Sequence, residues 1–122
     1  MSRLENKVAI ITGAAQGMGE SHARRFVAEG AKVVLTDLNE EKGQALASEL
    51  GENAVFVKQN VTSEEDWANV LATAEEKFGP VNVLVNNAGI TMAKNMLDIT
   101  VEEYRRIVDI NQVSVFLGMK TV

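Results

Sequence analysis

The chain has 122 residues, 46% of them apolar and 24% charged, the balance of one soluble globular domain with a buried core. A net charge of −5 excludes the basic face that nucleic acid or an anionic membrane requires, and the absence of cysteine excludes disulfides, a thiolate nucleophile and zinc–cysteine sites. No apolar run approaches the ~20 residues that span a bilayer, and the polar start "MSRLENK" does not resemble a signal peptide, so a cytoplasmic protein is expected.

The first apolar run is "KVAIIT" (7–12), followed by "ITGAAQGMGE" (11–20) with glycines at 13, 17 and 19. A helix with the stripe Ala23, Phe26 and Val27 then runs to Gly30. The second run is "KVVLTD" (32–37); Asn39 is the expected N-cap of the next helix and Gly51 its end. The third run, "AVFVK" (54–58), leads to the clearest helix, where Trp67, Val70, Leu71, Ala74 and Phe78 recur at helical spacing. Thr62 and Glu65 are its expected capping box, and Gly79-Pro80 its stop. After "VNVLVN" (81–86) comes the longest non-periodic stretch, residues 89–99. A fourth helix begins at Thr100 with Glu103 as box partner. Tyr104, Ile107, Val108, Asn111 and Val115 are expected to line its inward face, which makes Tyr104 a packing residue.

The four runs are rich in Val and Ile and lack period-two alternation, as strands buried on both faces do. Their alternation with helices predicts an α/β fold: a Rossmann-type, doubly wound parallel sheet in three layers, α/β/α, ending after the fourth strand–helix unit. The glycines fit that plan. A helix N-terminus carries unpaired N–H groups and partial positive charge, and so attracts phosphate. Gly13 permits the turn, Gly17 lets backbone approach a pyrophosphate, and Gly19 lets the helix close on its strand. Asp37 ends the second strand, where a carboxylate can accept both ribose hydroxyls of an adenosine and repel a 2′-phosphate. No Lys or Arg lies between Thr12 and Ser21, and Leu38 follows the acid, so NAD is expected over NADP.

"TGAAQGMG" (12–19) resembles the Thr-Gly-x-x-x-Gly-x-Gly fingerprint of classical short-chain dehydrogenases/reductases. "NNAG" (86–89) resembles that family's second signature, and Asn111 in "DINQVSVF" (109–116) its helix asparagine. The resemblance runs in register through the chain and implies one NAD-binding domain over residues 1–122. It places Gly13, Gln16, Gly17, Met18 and Gly19 along the pyrophosphate, and Asp37 with Leu38 at the adenosine ribose. Asn60 and Val61 would border the adenine, and Asn87, Ala88 and Gly89 the nicotinamide-side ribose and the sheet centre. Asn111 would help to fix a water in a proton relay. Asn60 stands where the family usually has Asp; its amide is expected to bond the adenine amino group without a charge.

The resemblance further implies hydride transfer between NAD and a secondary alcohol or ketone of steroid, sugar or 3-oxoacyl type, in a homo-oligomer (dimer or tetramer) or together with the remaining part of the enzyme. The family's serine and its Tyr-x-x-x-Lys have no counterpart here. Tyr104 is followed four residues later by Val108, and Ser114 lies on the same helix, so these 122 residues alone are expected to be inactive. The alternative is a module that binds or senses NAD without turning it over. A receiver-type signalling domain, of similar length, needs acids where Thr12 and Asn60 stand. The acidic pairs fall in first helical turns or on outward faces, which suits helix dipoles better than a metal. Met92 and Met96 follow "NNAG" and are candidates for an apolar wall or a loose lid.

Overall fold

The computed structural model describes residues 2–122. Among these, four strands, β1 (Val8–Thr12), β2 (Lys32–Asp37), β3 (Ala54–Lys58) and β4 (Val83–Val85), form one sheet in the order β3-β2-β1-β4. Every pairing is parallel, so each strand is reached by a crossover. The helices are α1 (Gly17–Ala28), α2 (Glu40–Leu50), α3 (Glu64–Lys77), α4 (Val101–Val108) and α5 (Ser114–Thr121). From β1 the chain moves outward through β2 to β3, then returns to the other side of β1. That reversal opens a crevice at the C-terminal ends of β1 and β4, where open α/β sheets bind ligands.

The central strands are apolar on both faces because both faces are covered. Ile11, Val33, Leu35 and Phe56 pack against Ala23 of α1 and Leu46 and Ala47 of α2. Ile10 and Val34, on the opposite face, pack against Trp67, Val70 and Ala74 of α3 and Leu117 of α5. Trp67 is fully buried, and its indole N–H donates to the Val61 carbonyl at 2.8 Å. This pins the loop after β3 to the helix it feeds.

Helix ends follow side-chain chemistry, with one correction. Asn39 accepts from Lys42 N as cap of α2, and Gly51 ends that helix at φ +88°. Thr100 and Glu103 make both arms of the expected box, at 3.1 and 3.0 Å. The cap of α3, however, is Ser63, which accepts from Asp66 N at 3.1 Å. Thr62 stands one residue before the cap position, its hydroxyl donating to Asn60 Oδ1 in the preceding turn.

The fourth helical pattern departs furthest from expectation. Residues Asp109–Val113 form a π-turn between α4 and α5. Such a turn inserts one residue into the helical ladder and rotates the residues beyond it. A stripe drawn at α-spacing from Tyr104 to Val115 is therefore broken beyond Val108; Tyr104 itself, before the turn, is 62% exposed and packs nothing into the core. Asn111 does not face the interior either. It lies in the π-turn with its side chain bonded to the loop after β4. α4 contributes no buried residue, because no other layer covers it among the described residues.

Candidate functional site

The crevice is a cleft of about 360 Å³. Gly13, Gln16 and Gly17 form one wall, Asp37 and Leu38 the end of β2, and Asn60 and Val61 the end of β3; Asn87, Ala88 and Gly89 lie opposite. The strand ends thus bring together ten of the residues singled out by sequence. Two others lie outside it. Gly19 is buried, and a Cβ there would stand 2.2 Å from the Gly13 carbonyl oxygen, so only glycine lets α1 meet the turn. Met18 is 69% exposed on the outer side of the helix.

The mouth of α1 is shaped for an anion. Gln16 stands at the N-cap in extended conformation and makes no side-chain cap, so no side chain occupies the helix's first amides. Gly17 follows at φ +60°, with nothing within 4 Å of where a Cβ would stand. The space before those amides is kept free of side chains. Asp37 lies across from them. Its Oδ2 accepts from Ala15 N at 3.1 Å and its Oδ1 from Asn39 N at 2.9 Å. Two backbone amides fix the carboxylate, and each oxygen keeps a lone pair for a further donor.

"NNAG" ties β4 to β1 through Thr12. Asn87 N and Ala88 N both donate to Thr12 Oγ1 at 3.0 Å. Asn87 Nδ2 donates to the carbonyls of Thr12 and Gly13, at 3.1 and 3.2 Å. The far wall of the cleft and the glycine turn therefore move as one piece. Asn111 extends that framework: its Oδ1 accepts from Ile90 N and its Nδ2 donates to Ile90 O, each at 2.8 Å. It clasps the backbone one residue beyond Gly89.

Several cleft residues escape a sequence reading. Ile90, Ile110 and Arg106 complete the lining; the π-turn brings Ile110 there, and nothing in the helical period announces it. Gln59 also lines the cleft and is 2% exposed, yet neither amide atom has a partner. Buried polar atoms cost about 1–3 kcal/mol when unmet, so Gln59 marks a place where a polar visitor or water is expected. Lys42 reaches Gln16 Oε1 at 3.2 Å. An ammonium thus stands beside the cleft, where reading residues 12–21 alone places no cation. Met96 is 84% exposed and walls nothing. Asn60 differs from expectation as well: its Oδ1 already accepts from Thr62 N at 3.0 Å and Thr62 Oγ1 at 2.7 Å, and so is not free for an amino group.

The sequence matches the short chain dehydrogenase family over residues 7–122. The chain belongs to that family. It is similar to a 3-beta-hydroxysteroid dehydrogenase of Comamonas testosteroni, 46% identical over 96% of this chain and 46% of that protein. It also resembles an NADP-dependent (R)-specific alcohol dehydrogenase of Lentilactobacillus kefiri, 42% identical over 97% of this chain and 48% of the relative. Among solved structures, a short-chain dehydrogenase/reductase from Brucella melitensis superposes with a TM-score of 0.93 at 37% identity, over 97% of this chain and 49% of its own. The chain spans about half the length of the relatives it matches. The family to which the chain belongs binds a nicotinamide cofactor. No helix among the described residues is long and apolar enough to cross a membrane.

Proposed function

We propose that these residues form the cofactor-binding part of an NAD-preferring oxidoreductase that exchanges a hydride between the nicotinamide and a secondary alcohol or its ketone. The bound dinucleotide supplies the hydride acceptor or donor. The chain itself supplies binding and orientation. The amides at the start of α1 receive the diphosphate, and Asp37 accepts the two ribose hydroxyls of the adenosine half. Asn87, Ala88 and Gly89, locked to β1 through Thr12, carry the nicotinamide side. Asn111 holds the adjoining backbone at Ile90, and through it the floor on which a proton relay would run.

The observation that carries the reading is the pinned carboxylate of Asp37 opposite the uncapped start of α1. Its negative charge disfavours a 2′-phosphate, which favours NAD even though one relative is named as NADP-dependent. The names of the relatives favour a cyclic or otherwise secondary alcohol such as a steroid; the sugar and 3-oxoacyl types come from the family resemblance. The residues here include no Tyr-x-x-x-Lys, so proton transfer to the substrate is assigned to the other half of the enzyme, and these 122 residues alone are expected not to turn substrate over. A cytoplasmic homo-oligomer, with no nucleic acid or membrane partner, fits the charge and composition.

Titration with NADH and NADPH, followed by nicotinamide fluorescence, tests the assignment. NADH is expected to bind about tenfold or more tightly than NADPH, as one unfavourable charge contact implies. In Asp37→Ser that preference is expected to vanish. Saturable binding that ignores Asp37, or no binding at all, overturns the reading.

A further inference from the structure

Among the described residues, the buried side-chain polar atoms without a partner are Thr36 Oγ1, Gln59 Nε2 and Gln59 Oε1. They belong to one place in the fold. Ile10 and Val34, with Val55 packed against them, lie on the sheet face covered by α3 and α5. Side chains return to the same face every second residue, so Thr12, Thr36 and Val57 form the next row there, in register. Gln59 comes two residues after Val57 and keeps the alternation, buried between exposed Lys58 and exposed Asn60. Its N–H extends the ladder by donating to the Asp37 carbonyl at 3.1 Å. Thr36 and Gln59 are thus diagonal neighbours on adjacent strands. They stand at the end of the sheet that opens into the cleft, which Gln59 also lines.

Other polar groups of this face are spent elsewhere. Thr12 Oγ1 takes the amides of Asn87 and Ala88. Ser114, the polar side chain that α5 buries, donates to the Ile110 carbonyl. The Trp67 N–H goes to the Val61 carbonyl, and the side chains flanking Gln59 on its own chain, Val57 and Val61, are apolar. Turning the Gln59 amide over changes nothing, since its donor and its acceptor are both unmet. Burial keeps bulk solvent from all three atoms. Together they offer a donor, an acceptor and a hydroxyl that can act as either, which is the set of about three partners that one internal water takes.

We propose that Thr36 and Gln59 hold an internal water between them, beneath the cleft, and that this water ties the end of β2 to the end of β3. The residues that follow them, Asp37 and Asn60, both line the cleft. The bridge therefore fixes the spacing of two cleft residues from below, whatever the cleft binds.

The test is a high-resolution crystal structure of the intact protein, together with urea unfolding of Thr36→Val, Gln59→Met and the double variant. An ordered water is expected within hydrogen-bonding distance of both Thr36 Oγ1 and a Gln59 amide atom. Each single variant strips the water of one holder and leaves the other holder buried. It is expected to lower the ratio of folded to unfolded protein about fivefold, and a fall of about twofold or more supports the proposal. The double variant is expected to lose no more than the larger single loss, because one bridge is lost only once. A direct bond between the two side chains, water on one of them alone, or no water overturns the proposal. So do single variants whose ratio falls less than about twofold or rises, and a double variant whose losses add. If a variant fails to fold, the wild-type electron density decides by itself.

Discussion

On the proposed function, Asp37 and Lys42 would contend over one ribose hydroxyl of the cofactor. The carboxylate is fixed by Ala15 N and Asn39 N, while the ammonium rests on Gln16 a short way along the same wall. Removing the carboxylate leaves the cation unopposed. Asp37→Ser is therefore expected to gain NADPH affinity as well as lose NADH affinity, and Lys42→Ala in that background to reverse the gain; paired fluorescence titrations check both. Asn111 makes a simpler prediction. Asn111→Ala removes two hydrogen bonds to the Ile90 backbone at a site water can reach. A loss of about 1–2 kcal/mol is expected in urea unfolding, less than for a buried pair. Asn111→Asp keeps the acceptor but turns a carboxylate oxygen on the Ile90 carbonyl, so it is expected to cost more.

At the scale of the elements, two glycines of one turn do different jobs. Gly19 is required by packing: an added Cβ would press on the Gly13 carbonyl at 2.2 Å, and α1 would have to lift from β1. Gly19→Ala is expected to lose about 1–3 kcal/mol of stability in denaturant titration. Gly17 sits in open space at φ +60°, so Gly17→Ala meets only backbone strain, about 1 kcal/mol. Its larger effect is expected on dinucleotide affinity, because the new methyl occupies the space before the amides.

These elements also show what a sequence can disclose. The strands were legible because burial on both faces leaves an unbroken Val and Ile run, and Asn39 and Thr100 because a cap is a local bond between near neighbours. Ser63 was not, since Thr62 and Ser63 both have cap chemistry, and only the fold shows which of them stands next to the first turn of α3. Tyr104 was misread because an apolar stripe on α4 implies a layer to cover it, and among the described residues none covers α4; the π-turn at Asp109–Val113 then breaks the stripe beyond it. The glycine turn and Asp37 could be placed in the cleft from spacing along the chain. Gln59, Ile110 and Arg106 arrive there only through the tertiary fold.

For the molecule as a whole, acid and association are the accessible probes. The Arg3 backbone N–H and the Arg25 guanidinium hold the Glu29 carboxyl below its ordinary value of 4.5, against the opposing effect of burial. Lys94 and the Thr100 amide do the same for Glu103, and Arg24 for Glu49. A depressed folded-state pKa means that the unfolded chain takes up protons first. The stabilisation is therefore complete above 4.5 and is lost as pH falls through the lower, folded-state values. The urea midpoint is expected to be flat from about pH 7 to 5 and to drop below that; Glu29→Gln should lessen the drop. Association has its own signature. Among the described residues β4 pairs only with β1, and Tyr104, Phe116 and Met119 stand 62%, 56% and 63% exposed on α4 and α5. An apolar edge strand and exposed apolar side chains are surfaces that another polypeptide can cover. Sedimentation is expected to show concentration-dependent assembly, and an ideal monomer at high concentration would contradict that.

The supernumerary residue between α4 and α5 works as a phase adjuster. On one side of it the Asn111 amide hooks Ile90; on the other Leu117 seats against Trp67. An ordinary helix advances about 100° per residue, so the same residues wound as a regular ladder would set one anchorage about a quarter-turn out of phase with the other. A regular helix here could keep the hook or the seat where it stands, not both. The wide turn, rather than any one side chain, keeps the crevice wall and the underside of the sheet in step.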